Sequence, residues 1–100
     1  MTLEPILKKT IQESQLSHKY GITFIGLFGS YARGEQDQTS DIDLYVRFDP
    51  QRTVSLFDLA KLQQELEQHL NKKIDLVTRI NKHIEPFIRK DLITLYGKEN

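Results

Sequence analysis

Residues 22–47 read ITFIGLFGSYARGEQDQTSDIDLYVR, and the fold turns on how this stretch divides. Its first seven residues are apolar and β-branched and too short for a typical helix, the pattern of a strand buried on both faces. Gly29-Ser30 ends that strand abruptly. A short helical turn is expected over residues 31–33, then a polar loop, GEQDQTS, over residues 34–40. Residues 41–47, DIDLYVR, alternate along their whole length. Ile42, Leu44 and Val46 point to one side of a strand; Asp41, Asp43 and Tyr45 point to the other.

Outward from this hairpin the pattern becomes helical. Leu3, Ile6, Leu7 and Ile11 fall on one helical face, with Pro5 suited to its first turn; the pattern fades by Ser14, and Gly21 closes the segment. On the far side, Ser55 and Asp58 have the spacing of a capping box. The helix they open carries Leu59, Leu62, Leu66 and Leu70 on one face. Residues 73–78, KIDLVT, read as a third strand with Asp75 between Ile74 and Leu76. Pro86 can start a last helix holding Phe87, Ile88 and Leu92, and residues 93–96 form a short edge strand before Gly97. This order predicts an α/β (α+β) fold, a small mixed β-sheet with helices packed against it, in a single domain over residues 1–100.

Bulk composition narrows the function. One hundred residues make one domain with a modest core and no room for a separate substrate lobe, so a second chain is expected to complete the site. With 38% apolar and 28% charged residues, the chain is of globular rather than disordered type. Lysine plus arginine and aspartate plus glutamate number 14 each, so the basic excess of a nucleic-acid binder is missing and direct binding to nucleic acid is not expected. There is no cysteine, which excludes disulfides, zinc–thiolate sites and thiol catalysis. No apolar run approaches the roughly 20 residues of a membrane span. Residues 1–11 lack the apolar centre of a signal peptide, and a cytoplasmic protein is expected.

The chemistry is concentrated in residues 29–44. Asp41 and Asp43 lie two apart, and sheet packing gives no reason for two carboxylates on one side of a strand. Like charges side by side raise the cost of ionising both, and a divalent cation removes the conflict. Hard oxygen ligands suit Mg²⁺, which takes one or two carboxylates together with substrate phosphates and water. At Gly29-Ser30 the backbone can turn sharply and approach a ligand closely. The free N–H groups of a following helical turn, with the Ser30 hydroxyl, would cradle a triphosphate. Arg33 would pair either with a phosphate or with an acidic residue of the loop. Asp75 is a lone carboxylate in an apolar strand, and buried charge is costly unless paired or metal-bound. If its strand lies beside that of Asp43, it completes a three-carboxylate cluster able to hold two metal ions and to take a proton from an acceptor hydroxyl.

Gly29-Ser30, ten residues, then Asp41-x-Asp43 resembles the motif of the nucleotidyltransferase superfamily related to DNA polymerase β. The fuller string, with Ala32-Arg33-Gly34-Glu35 and Ser40-Asp41-Ile42-Asp43, is similar to its minimal nucleotidyltransferase branch, and the likeness runs over nearly the whole chain. The resemblance implies Mg²⁺, with two ions expected, held by Asp41, Asp43 and Asp75. It also implies ATP as substrate, with its phosphates at Gly29 and Ser30. Many such proteins are antitoxins paired with a HEPN-domain ribonuclease toxin, and some silence it by transferring AMP to a toxin tyrosine. The resemblance thus implies a protein adenylyltransferase in a hetero-oligomeric complex with such a toxin. Two other functions stand beside it: an antitoxin that neutralises by binding alone, and a small-molecule nucleotidyltransferase, which generally needs additional chain for its acceptor.

Each feature also has a plainer reading. The Asp41–Asp43 pair would then be a solvated strand face, Gly29-Ser30 an ordinary turn, and Asp75 an edge-strand or ion-paired residue. His18, His69 and His83 lack metal-site spacing and read as surface or helix-end residues. Tyr31 and Tyr45 flank the proposed site and are expected to fill space rather than to stack on a base. Residues 89–91 read as a solvated helix face.

Overall fold

A computed structural model describes residues 3–99 of the chain; Met1, Thr2 and Asn100, which the single-domain expectation includes, lie outside the described residues. The elements run α1 (Glu4–Ser14), α2 (Leu16–Tyr20), β1 (Ile22–Phe28), α3 (Ser30–Arg33), β2 (Ile42–Phe48), α4 (Leu56–Leu70), β3 (Ile74–Val77), α5 (Glu85–Asp91) and β4 (Ile93–Gly97). The four strands form one mixed sheet in the order β3-β2-β1-β4. β1 pairs antiparallel with β2 and with β4, and β2 pairs parallel with β3. The parallel pair follows from the connection: α4 is the crossover that a parallel neighbour requires.

The two faces of the sheet are covered unequally. On one face Ile25, Leu27, Ile42, Leu44, Val46 and Ile74 pack against Leu7 and Ile11 of α1, Leu16 and Tyr20 of α2, and Leu62 and Leu66 of α4. On the other, Phe24, Tyr45 and Ile88 form a smaller cluster joined by Phe28, Val77, Ile80 and Leu92. Period-two alternation along β1 and β2 sorts the residues between these clusters. The expected faces of β2 are therefore the observed ones: Tyr45 is buried on the thin face, its ring edge-on to Phe24 at 5.8 Å.

Three helical expectations need correction. Ile6 is 45% exposed and does not share the buried face of Leu7 and Ile11. Phe87 is 75% exposed on α5, whose contact with the sheet is made by Ile88. Leu92 does not continue α5: its ψ of 123° turns the chain out of the helix and into β4. The first helix ends at Ser14, where its apolar pattern fades; Gln15, in a left-handed conformation, separates it from α2, which Gly21 closes. The cap of α4 is as expected, with Asp58 N–H donating to Ser55 Oγ at 3.1 Å and Ser55 N–H donating to Asp58 Oδ2 at 3.0 Å. Among the described residues no helix is long and apolar enough to cross a membrane.

Candidate nucleotide and metal site

The candidate site lies on the thin face, where β1 ends and β2 and β3 begin. Asp43 and Asp75 are register partners across the parallel β2–β3 pair, as Ile42 and Ile74 are one residue earlier. Residues in register share a face, so both carboxylates leave the sheet on the side of Tyr45 and Val77. The start of β3 is fixed from two directions. Ile42 N–H donates to Lys73 O at 2.9 Å, and Ile74 N–H donates to the Glu67 carboxylate of α4 at 3.0 Å.

Asp43 is half-buried, and loss of solvation raises its carboxyl above the usual carboxylate range. The negative charges of Asp75 and Asp41 push it further the same way, and Arg33 opposes them. Asp75 and Asp41 thus both lie near enough to act on Asp43 through space. Two details differ from that expectation. Asp41 lies one residue before β2, in the exposed end of the loop, so its side chain is not set by the pleat. Asp75 is exposed and on an edge strand, so the penalty of burying a lone charge does not apply to it. Its position opposite Asp43 carries the argument instead. Among the described residues, no three carboxylate or imidazole side chains converge as a ready-made metal cage.

Gly29 brings the turn against these carboxylates. Its φ of 78° and ψ of −155° fall in a region open essentially to glycine alone. A Cβ built there would overlap Asp43 Oδ2 and lie 3.0 Å from Asp43 Cγ. The N–H groups of Ala32 and Arg33 return to Gly29 O at 3.1 and 3.2 Å. Among the described residues, the Ser30 and Tyr31 N–H groups, at the start of the turn, have no such acceptor. Ser30 is half-buried beside them.

Arg33 is engaged by acids. Its Nε donates to Glu35 Oε2 and its NH1 to Asp91 Oδ2, both at 3.0 Å. The expected ion pair with an acidic loop residue is present, with a second partner from α5, where a solvated helix face was expected. Asp37 is another residue that reading passed over. Its Oδ1 accepts from Thr39 N–H at 2.8 Å and from Thr39 Oγ1 at 2.7 Å, and its N–H donates to Ser40 Oγ at 2.9 Å. Those bonds, the Thr39 hydroxyl first, hold its carboxyl below the usual range and shape the loop that delivers Asp41. The signal was legible as an Asx-turn, Asp37 followed two residues later by a threonine. Tyr31 packs against the larger core with Lys72 Nζ 6.0 Å from its ring centre. His18, His69 and His83 are exposed, the second in the last turn of α4.

Known proteins share the sequence and fold of this chain. A protein of Methanocaldococcus jannaschii provisionally named a protein adenylyltransferase is 40% identical over 90 residues, covering 90% of this chain and 87% of that one. Protein adenylyltransferase MntA of Thermococcus cleftensis is 38% identical over 80 residues, 79% of each chain. Among solved structures, a toxin–antitoxin crystal structure with AMP-PNP superimposes with a TM-score of 0.74 at 26% identity, covering 92% of this chain and 74% of that one. The family profile described as nucleotidyltransferase domain matches residues 8–94, from within α1 into β4, and the chain belongs to that family.

Proposed function

We propose that this protein is an Mg²⁺-dependent adenylyltransferase that moves AMP from ATP to a protein hydroxyl, a tyrosine of a HEPN-type toxin, and so acts as an antitoxin. One observation carries the reading: Asp43 and Asp75 stand side by side on one sheet face, with the Gly29 backbone turned against Asp43. The names of the relatives, protein adenylyltransferase, and of the AMP-PNP-bound toxin–antitoxin neighbour support the reaction and the partner class. The reading treats residues 1–100 as one domain, with the toxin supplying the acceptor.

The donor set fits Mg²⁺. Asp41, Asp43 and Asp75 offer hard oxygens, and Asp43 has a raised proton affinity that a cation would relieve. Asp41, Asp43 and Asp75 would hold the ions, with phosphate oxygens of the nucleotide as further hard ligands. When bound, they would offset negative charge on the phosphates during displacement. The rest falls to the chain. The free N–H groups of Ser30 and Tyr31 and the Ser30 hydroxyl hold phosphate oxygens. Gly29 leaves the space in which a phosphate and Asp43 can meet. The acceptor oxygen attacks the α-phosphorus and the bond to the β-phosphate bridge breaks, releasing pyrophosphate. Asp75, exposed at the sheet edge, is open to an incoming hydroxyl and takes its proton.

The test is direct. The chain, co-expressed with its toxin and incubated with ATP and Mg²⁺, should add the mass of AMP to a toxin tyrosine, and chelation should abolish the addition. An unmodified toxin that is nevertheless neutralised would leave the binding-only antitoxin as the correct reading.

A further inference from the structure

β3 has four residues and a single strand neighbour, so its own pairing does little to fix where it begins. Yet its second residue is Asp75, and the start of the strand decides how that carboxylate stands against Asp43. One residue closes the connection from α4 into this strand. The backbone O of Glu67 accepts from Asn71 N–H at 2.8 Å, ending the helix with Asn71 in a left-handed conformation. The carboxylate of the same Glu67 accepts from Ile74 N–H at 3.0 Å. Only residues 71–73 lie between helix and strand, and both ends of that link are tied to Glu67.

We infer that Glu67 is a positioning residue: it sets the start of β3, and with it the angle at which Asp75 meets an acceptor hydroxyl. The inference rests on the role proposed for Asp75. Local helix stability gives no reason for this carboxylate, because it lies in the last turn of α4, where the helix dipole disfavours negative charge. Nor does it join the carboxylates of the site. α4 packs through Leu62 and Leu66 on the larger core, across the sheet from the face that Asp43 and Asp75 share. Glu67 therefore reaches Asp75 through the backbone alone. Water could satisfy an edge N–H equally well, but it would not tie that N–H to the helix. A base must stand within hydrogen-bond reach of the hydroxyl it deprotonates, and a small displacement costs rate. The effect of Glu67 should therefore appear in turnover rather than in nucleotide binding.

The experiment follows AMP transfer to the co-expressed toxin, with kcat and the KM for ATP measured well below every Tm. Hydrogen–deuterium exchange of residues 73–78 is read on the same complexes. Glu67→Ala should lower kcat on the order of 10- to 100-fold, leave the KM for ATP nearly unchanged and speed exchange over residues 73–78. Glu67→Gln keeps an oxygen that can accept from Ile74 N–H, and should restore most of the turnover and the slow exchange. Ser55→Ala loosens the same helix at its other end, and should lower Tm while leaving kcat and the exchange of residues 73–78 as in the wild type. A Glu67→Ala that loses Tm but keeps kcat, as Ser55→Ala does, shows a merely structural role and overturns the inference. So does a loss that Glu67→Gln shares in full, since charge and not the hydrogen bond would then be acting. A KM for ATP that rises as kcat falls overturns it as well. Any of these results in an active wild type removes the inference alone, whereas a wild type that transfers no AMP removes the proposed function together with it.

Discussion

Gly29 and Asp43 share one volume: the space a Cβ on residue 29 would occupy is filled by the Asp43 carboxylate. The first belongs to the turn after β1 and the second to β2, and the antiparallel pairing of Phe28 with Asp43 brings them together. A backbone with no side chain against a half-buried carboxylate is an arrangement that sheet packing does not require. It fits the proposed site, in which the carboxylate and the N–H groups of the turn, held in contact, would meet one ligand from the same side.

Gly29→Ala therefore faces two costs, a backbone conformation reserved for glycine and an overlap with Asp43. Together they should destabilise the fold by about 2–3 kcal/mol, a fall in Tm of roughly 10–20 °C for a domain this size. ATP binding should be lost even below the lowered Tm. Gly34→Ala is the matched control. Its φ is also positive, at 72°, but nothing lies near its Cβ position. It should cost about 1 kcal/mol and leave ATP affinity intact. Equal effects of the two substitutions on affinity would show that the Gly29–Asp43 approach has no part in binding.

The raised carboxyl of Asp43 gives a pH prediction. Burial, with Asp75 and Asp41 adding to it, makes the folded protein hold the Asp43 proton more tightly than the unfolded chain does. That preference favours the native state at low pH, and it is lost as pH rises from the ordinary aspartate range through the raised folded value. At neutral pH the ionised Asp43 is thus a burden on the fold in the absence of a cation. Asp43→Asn should melt higher than the wild type at pH 7. The gap should close as pH falls below the ordinary aspartate range, where both forms are uncharged. Mg²⁺ with ATP should raise the Tm of the wild type and not that of the variant. A wild type that melts above Asp43→Asn at neutral pH without metal would contradict the assigned electrostatics.

The hairpin and the candidate site at its end were legible in residues 22–47 because both signals are local. A seven-residue apolar run, a glycine–serine stop and strict alternation need no knowledge of the rest of the chain. The α4 cap was legible for the same reason. The faces of the flanking helices were less so: Ile6 and Phe87 have the right residue type, but which side meets the sheet is decided by tertiary packing. Asp75 shows the subtler limit. The sequence offered burial as the reason to notice it and left its cluster conditional on its strand lying beside that of Asp43; the structure puts it exposed on an edge strand and supplies that neighbour. Strand neighbours depend on the crossover, which no window of residues contains. The Arg33–Asp91 pair, 58 residues apart, is beyond local reading altogether.

Ser55→Ala tests the fold independently of the chemistry. It removes the acceptor for Asp58 N–H and breaks the reciprocal pair at the start of α4. The loss should be about 1 kcal/mol. Because α4 supplies Glu67 to the first N–H of β3, but from its far end, ATP affinity should stay the same. Circular dichroism melting and calorimetry on one sample separate the two. A large change in affinity would mean that fraying at the N-terminus of α4 reaches Asp75.

The three aspartates should differ when replaced by asparagine, and their positions say how. Asp43 is half-buried against Gly29 and faces both other carboxylates, so Asp43→Asn should abolish metal-dependent ATP binding and transfer together. Asp41 sits in the exposed end of the loop before β2, where a change of charge does not disturb the sheet. Asp41→Asn should fold normally and lose transfer by at least about 100-fold, since asparagine replaces a charged hard ligand with a neutral one. Asp75 lies at the open edge, on the acceptor side. Asp75→Asn should keep ATP affinity within a few-fold while losing transfer by about 10²–10⁴-fold, the range set by loss of a general base. The decisive comparison is toxin control in cells, with complex formation measured on the same variants. Under a transfer mechanism each variant still binds the toxin, leaves it unmodified and fails to neutralise it. If all three variants bind and neutralise as the wild type does, occupation of the toxin surface is sufficient. The Asp43–Asp75 pairing would then be a feature of the nucleotidyltransferase fold that this protein does not use.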